Sequence, residues 1–169
     1  EPAAKLRELS EDVLKKHAKD GTAAMYLGWV LTSQGEVKAA MNVMLPALEL
    51  WREHYSLWYQ ASATAGSVFK NRATAAAAIP WMEKIHEYYA FSPDAANNLG
   101  FYYRDTGQAE KSLEWYLKAC ERAPNSQDIL NDTGLIYLFN LRGQGKKSLP
   151  YFEKVLALVM EEGQAPQRG

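Results

Sequence analysis

The chain has 169 residues, 47% of them hydrophobic, which is enough to bury a sizeable core. Its 19 Lys and Arg against 20 Asp and Glu give a net charge of −1, which is no electrostatic footprint for nucleic acid. A single cysteine, Cys120, excludes an internal disulfide framework and a cysteine-rich zinc site, and the absence of an apolar run of about 18 residues leaves no membrane insertion to expect. No secretory signal opens the chain, which starts at Glu1 without an initiating Met and inside a helical pattern. That start reads as an excerpt or a processed product. The lone cysteine is compatible with a reducing compartment, so the cytoplasm is slightly favoured.

Apolar periodicity, interrupted by Gly, Pro and Asn, predicts about nine helices. The first spans 2–18, with Leu6, Leu9, Val13 and Leu14 at helical spacing, and ends at Lys19-Asp20-Gly21. Four pairs follow, at 22–34 and 37–52, 55–69 and 73–90, 93–106 and 109–122, 126–142 and 146–161. Within pairs the turns centre on Gly35, Asn71, Gly107 and Gly143-Gln144-Gly145. Turns this short make the paired helices antiparallel. Residues 163–169 read as a flexible tail.

Small residues recur in register. Gly28, Ser62, Gly100 and Gly134 stand mid-way along the first helix of each pair. A helix-interior glycine costs about 1 kcal/mol relative to alanine, so its recurrence predicts close approach of the second helix. Ala40, Ala78, Ser112 and Ser148 match it there, and Met44, Met82, Tyr116 and Phe152 would fill the space between pairs. Pro46, Pro80 and Pro150 fall in or near the start of second helices. Each either bends its helix or occupies a first turn. Trp51, Trp58, Trp81, Trp115, Tyr88 and Tyr116 read as core or inter-pair fillers.

The fullest unit is 93–126: Leu99-Gly100, Tyr103, Gly107, Ser112, Tyr116, Ala119 and Pro124. Thr133-Gly134 with Tyr137 repeats it after about 34 residues, and Leu27-Gly28 with Leu31 precedes it in the same phase. These residues resemble the tetratricopeptide repeat family. The resemblance implies an all-α, right-handed superhelical solenoid of antiparallel helix pairs. It assigns a single array over 1–162: a half-repeat helix at 2–18, then repeats at 21–54, 55–92, 93–126 and 127–161. The second repeat departs most, with Ser62 for glycine, extra residues before its second helix and no closing proline. The fourth has about two extra residues near Leu141-Arg142.

Motifs that could carry chemistry read as scaffold. Asp105-Thr106-Gly107 and Asp132-Thr133-Gly134 resemble aspartic-protease triplets, but one ends a helix and the other lies inside one. Gly143-Gln144-Gly145-Lys146-Lys147-Ser148 lacks the spacing and the preceding strand of a phosphate loop. His17, His54 and His86 are scattered, without metal-ligand spacing, and read as solvated or partly buried helix residues. Cys120 reads as a buried structural thiol. No catalytic residue, metal or cofactor is assigned, and the chain reads as a non-enzyme.

In the resembled family the first helices line a concave groove. Carried over, its edge comprises Met25, Trp29 and Thr32; Tyr59 and Ala63; Asp94, Asn97, Phe101 and Arg104; then Asp128, Asn131, Leu135 and Leu138. Spacings of three and four keep each set on one helical face. Asn97 and Asn131 would stack as a ladder of amides suited to an extended peptide. The family's clamp for acidic C-terminal tails needs Lys and Arg on these faces. Here Met25, Trp29, Tyr59, Asp94 and Asn98 stand in those places, and only Arg104 is basic. The expected partner is therefore a neutral or basic peptide, or a partner helix; the plain alternative is a polar-aromatic surface with no dedicated ligand. The last helix leaves little polar face, so Phe152, Leu156 and Val159 predict self-association or a continuing array. The resulting alternative is a structural, assembly or self-associating segment of a larger protein whose catalytic or effector domain lies outside this chain.

Overall fold

The computed structural model describes residues 2–68 and 72–164; the expected turn centre Asn71 and tail residues 165–169 lie outside them. Every regular element among the described residues is helical, and they group into two compact units, Glu1–Ala90 and Phe91–Gly169.

The first unit holds α1 (Pro2–Lys16), α2 (Gly21–Ser33), α3 (Val37–Leu50), α4 (Tyr55–Ser67) and α5 (Arg72–Tyr88). Side chains fix where these helices start. Asp20 accepts from the Ala23 N–H at 2.8 Å, covering one of the orphan donors at the start of α2. His54 does the same for α4 through Nδ1, which accepts from the Leu57 N–H at 3.1 Å. His54 therefore precedes a helix instead of lying within one. α2 packs on α1, α3 and α4 around fully buried Val30, Met41, Met44, Leu48 and Leu57. Arg7 of α1 reaches the α2–α3 turn, donating to Gln34 Oε1 at 2.6 Å and Glu36 Oε1 at 3.0 Å.

The second unit holds α6 (Pro93–Asp105), α7 (Ala109–Arg122), α8 (Gln127–Leu135) and α9 (Leu149–Gln164). Pro93 occupies the first turn of α6 behind the Ser92 cap, where a missing N–H costs nothing. α6 ends at Gly107, whose φ of 79° lets the Gly107 and Gln108 N–H groups bond back to Arg104 and Tyr103 at 2.9 Å each. Gly35 closes α2 in the same way, also at φ 79°.

The glycines mark close approach within pairs as expected, but the large side chains they meet, Tyr116, Phe152 and Met44, are the ones expected between pairs. A Cβ on Gly100 would lie 2.5 Å from the Tyr116 ring, and one on Gly134 2.5 Å from Phe152. One on Gly28 would collide with Met44. Ser112 is fully buried and donates to the Gly100 carbonyl at 2.7 Å.

Three further expectations need correction. The helix expected over 126–142 leaves α-geometry after Leu135. Ile136–Asn140 form a π-helical turn, with the Leu141 N–H bonded to the Ile136 carbonyl at 3.2 Å. One of the extra residues is absorbed by that wider turn. Pro46 and Pro80 lie inside α3 and α5, whereas Pro150 sits in the first turn of α9, so the shared local motif around Pro80 and Pro150 serves two positions. Trp51 is no core filler. It is 50% exposed, and its indole N–H ties the α3–α4 turn to the Lys19 carbonyl at 2.6 Å.

Candidate functional site

On the first unit, helical spacing places Met25 and Trp29 along α2 and Tyr59 on α4. Met25 is half-buried, while Trp29 and Tyr59 are 52% and 60% exposed. Exposed aromatics lose apolar contact with water only when something covers them. Trp29 also walls a cavity of about 430 Å³ with Pro2, Ala3 and Leu6 of α1. Tyr59 belongs to an aromatic row: Tyr55 lies 6.4 Å from it and 5.4 Å from buried Trp58, which stacks on Tyr89 at 5.5 Å. Below these residues the helices are joined by hydroxyls. Thr32 Oγ1 and Thr64 Oγ1 lie 2.8 Å apart, Thr32 also donates to the Gly28 carbonyl at 2.6 Å, and Gln60 donates to Thr64 at 3.2 Å.

On the second unit, Asp94, Asp128 and Asn131 are exposed, while Asn97, Phe101, Arg104 and Leu135 are half-buried. Here the joint is ionic. Asp132, between them, was not singled out from the sequence. Its Oδ2 accepts from Asn97 Nδ2 at 3.1 Å, and its Oδ1 lies 3.8 Å from Arg104 Nη1. Arg104 Nε donates to Asp105 at 3.0 Å, and the guanidinium lies over the Phe101 ring at 4.6 Å. The Asn97 amide therefore turns to a carboxylate, which is a stronger acceptor than the neutral amide of Asn131. The only signal for Asp132 was its place in the second Asp-Thr-Gly triplet. The carboxylates of both triplets are gathered on Arg104, which pairs with each of them.

Beneath this joint Tyr116 is fully buried, with its hydroxyl lacking a hydrogen-bond partner. Burial, and the nearby Asp132 carboxylate, push its ionisation above the ordinary tyrosine range. Cys120 is half-buried with Sγ 3.2 Å from Thr133 Oγ1, and burial pushes its thiol up, which suits a structural role. On α9 the expected outward face divides. Phe152 packs into its own pair against Gly134, whereas Leu156 and Val159 are 63% and 48% exposed, beside Met160 at 65%.

Two windows match the tetratricopeptide repeat family, residues 21–57 and 93–126, one in each unit. No curated protein matches the chain in sequence. Among solved structures the chain is similar to a crystal structure of MamA, with a TM-score of 0.69 and 20% identity over 94% of this chain and 89% of that one. A second crystal structure of MamA gives a TM-score of 0.70 at 19% identity, covering 96% and 86%. MamA from Desulfovibrio magneticus RS-1, residue 41 to the end, gives 0.62 at 21% identity, covering 96% and 97%. At such identities the likeness speaks for the fold, and the repeats themselves speak for a scaffold of protein interaction. This chain carries tetratricopeptide repeats over residues 21–57 and 93–126.

Proposed function

We propose that the first helices bind a peptide or a partner helix by preorganised shape, without covalent chemistry. The ligand is neutral or basic. The observation that carries this reading is the state of Arg104: the basic side chain of the proposed surface is already paired with Asp105 and Asp132, while Asp94 and Asp128 stand exposed beside it. An acidic tail would meet repulsion from these carboxylates, with Arg104 already paired. On the first unit Trp29 and Tyr59 offer flat apolar area for the same purpose. Reading all four pairs and α1 as one array over 1–162 belongs to this proposal; a fold likeness spanning 94% of the chain supports it.

Calorimetry against a peptide array of graded charge tests the reading. Neutral and basic members should bind at around micromolar, about −8 kcal/mol, and acidic members should not. Trp29→Ala with Tyr59→Ala should weaken binding at least about tenfold, since each removes about 1.5–3 kcal/mol of burial. An unchanged affinity would remove the aromatic pair from the surface.

A second reading, self-association through α9, is favoured by the exposed Leu156, Val159 and Met160. Light scattering of a Leu156→Glu, Val159→Glu variant tests it. Self-association that survived the change would exclude this face.

A further inference from the structure

The turn that closes the last pair differs in chemistry from the turn after α6. Where α6 ends on Arg104-Asp105, the matching positions of the last pair are Leu138 and Phe139. Leu138 is 45% exposed, and Phe139, at 73%, is the most exposed large hydrophobic side chain among the described residues. The π-helical turn decides this placement. Its added residue carries Leu141 into the core, 5% exposed, and leaves Leu138 and Phe139 in water. The chain then reverses at Gly143, φ 74°, and a short 3₁₀ turn, Gly145–Ser148, folds back on the π-helical turn. Leu138 Cδ1 comes within 3.8 Å of the Cβ position of Gly145, and Leu149, the next residue after the 3₁₀ turn, is 56% exposed.

The charges at this corner have one sign. Arg142, Lys146 and Lys147 are all exposed, and no Asp or Glu occurs from Thr133 to Phe152, in a chain whose net charge is −1. Lys147 is held toward the corner, donating to Gln144 Oε1 at 2.9 Å with its ammonium 5.9 Å from the Tyr137 ring. Three apolar side chains and three cations are thus exposed at one turn.

We propose that this corner docks the protein on an anionic phospholipid surface, independently of the peptide-binding reading. Leu138, Phe139 and Leu149 enter the interfacial layer, and Arg142, Lys146 and Lys147 pair with lipid phosphates. Neither element holds alone. A few inserted side chains or a few cations bind a bilayer weakly, and the two together give reversible attachment. The chemistry favours lipid over single-stranded nucleic acid because two of the three apolar groups are leucines, which offer no face for a base to stack on. Docking does not require crossing: no helix among the described residues is long and apolar enough to span a membrane.

The test is co-sedimentation of the whole chain with vesicles of phosphatidylglycerol and phosphatidylcholine, and with phosphatidylcholine alone. Binding is expected to the anionic vesicles, and it should fade between about 0.1 M and about 1 M salt as the screening length falls from about 10 to about 3 Å. Phe139→Ser, and separately Lys146→Glu with Lys147→Glu, should each lower partitioning at least about fivefold. Thermal melting should not move, because these side chains are outside the core. If Phe139→Ser does shift the melt, Phe139→Trp must retain vesicle binding. Leu156→Glu with Val159→Glu should leave it unchanged, which separates this corner from the α9 face. Equal binding to neutral vesicles, no binding to anionic ones, or corner variants that bind like the parent would overturn the proposal. So would binding to a single-stranded oligodeoxynucleotide or to polyglutamate with none to vesicles.

Discussion

The two units solve one structural problem with different chemistry. In the first, Thr32 and Thr64 join the first helices of neighbouring pairs through hydroxyls 2.8 Å apart. In the second, Asn97 of α6 meets Asp132 of α8 at 3.1 Å, and Arg104 and Asp105 complete the joint. The packing within pairs differs in parallel. Gly28 faces the flexible Met44, and Gly100 faces the rigid ring of Tyr116. A repeat scaffold thus dictates where helices approach and leaves open which groups meet there. The outer surfaces follow suit: exposed Trp29 and Tyr59 on the first unit, exposed Asp94 and Asp128 on the second.

The glycine pairs should break this comparison most visibly. Gly100→Ala drives a Cβ to within 2.5 Å of a fully buried ring that cannot move cheaply. Overpacking of about 1–3 kcal/mol should outweigh the gain of about 1 kcal/mol in helix propensity. Gly28→Ala meets only the methionine thioether, which can change rotamer, so its cost should be smaller and its sign can reverse. Chemical denaturation of the two variants side by side reads the difference; equal costs would mean that side-chain rigidity is not what separates the units.

The joints come next. Asp132→Ala removes the acceptor of Asn97 and a counter-charge of Arg104, and should cost about 1.5–3 kcal/mol. Thr64→Val removes a neutral hydroxyl, while Thr32 keeps its bond to the Gly28 carbonyl, so about 1 kcal/mol is expected. If the two losses matched, the ionic joint would add nothing over the hydroxyl one.

The smallest effect at neutral pH should come from Tyr116→Phe, because the lost hydroxyl has no partner. Its signature lies in alkali. Tyr116 stays protonated in the folded protein above the ordinary tyrosine range, whereas the unfolded chain ionises near pH 10. Stability from this group is therefore complete below about pH 10 and declines as pH rises further. Tyr116→Phe should flatten that decline in pH-dependent melting, and an unchanged slope would assign it to other groups.

The repeat frame was legible because its signals are local or recur at one period. Gly100 with Ser112 could be matched by counting along two helices of a single pair, whereas Tyr116 and Phe152, expected between pairs, lie against Gly100 and Gly134 inside them. Asp20 and Ser92 announce helix starts through side chains that reach only a few residues ahead. Of the positions that the repeat resemblance assigns to the candidate surface, Trp29, Tyr59, Asp94 and Asp128 are exposed. Asp132 was not legible, because it stands one residue from the expected ladder and its importance depends on Asn97 and Arg104 of another pair. Trp51 misled because its size suggests a core, while its indole N–H finds Lys19 in a distant turn.

By itself, then, the order of residues determined the helical composition, the pairing and the glycine positions at which paired helices approach. Those follow from helix periodicity and side-chain volume, which act over a few turns. Only the tertiary structure decided that Asn97 bonds Asp132, that Arg104 is neutralised, and that a π-helical turn buries Leu141 while exposing Phe139. The reason is geometric. Hydrogen bonds between pairs and the phase of a helix end depend on shifts of about an ångström or one residue, which no repeat period records.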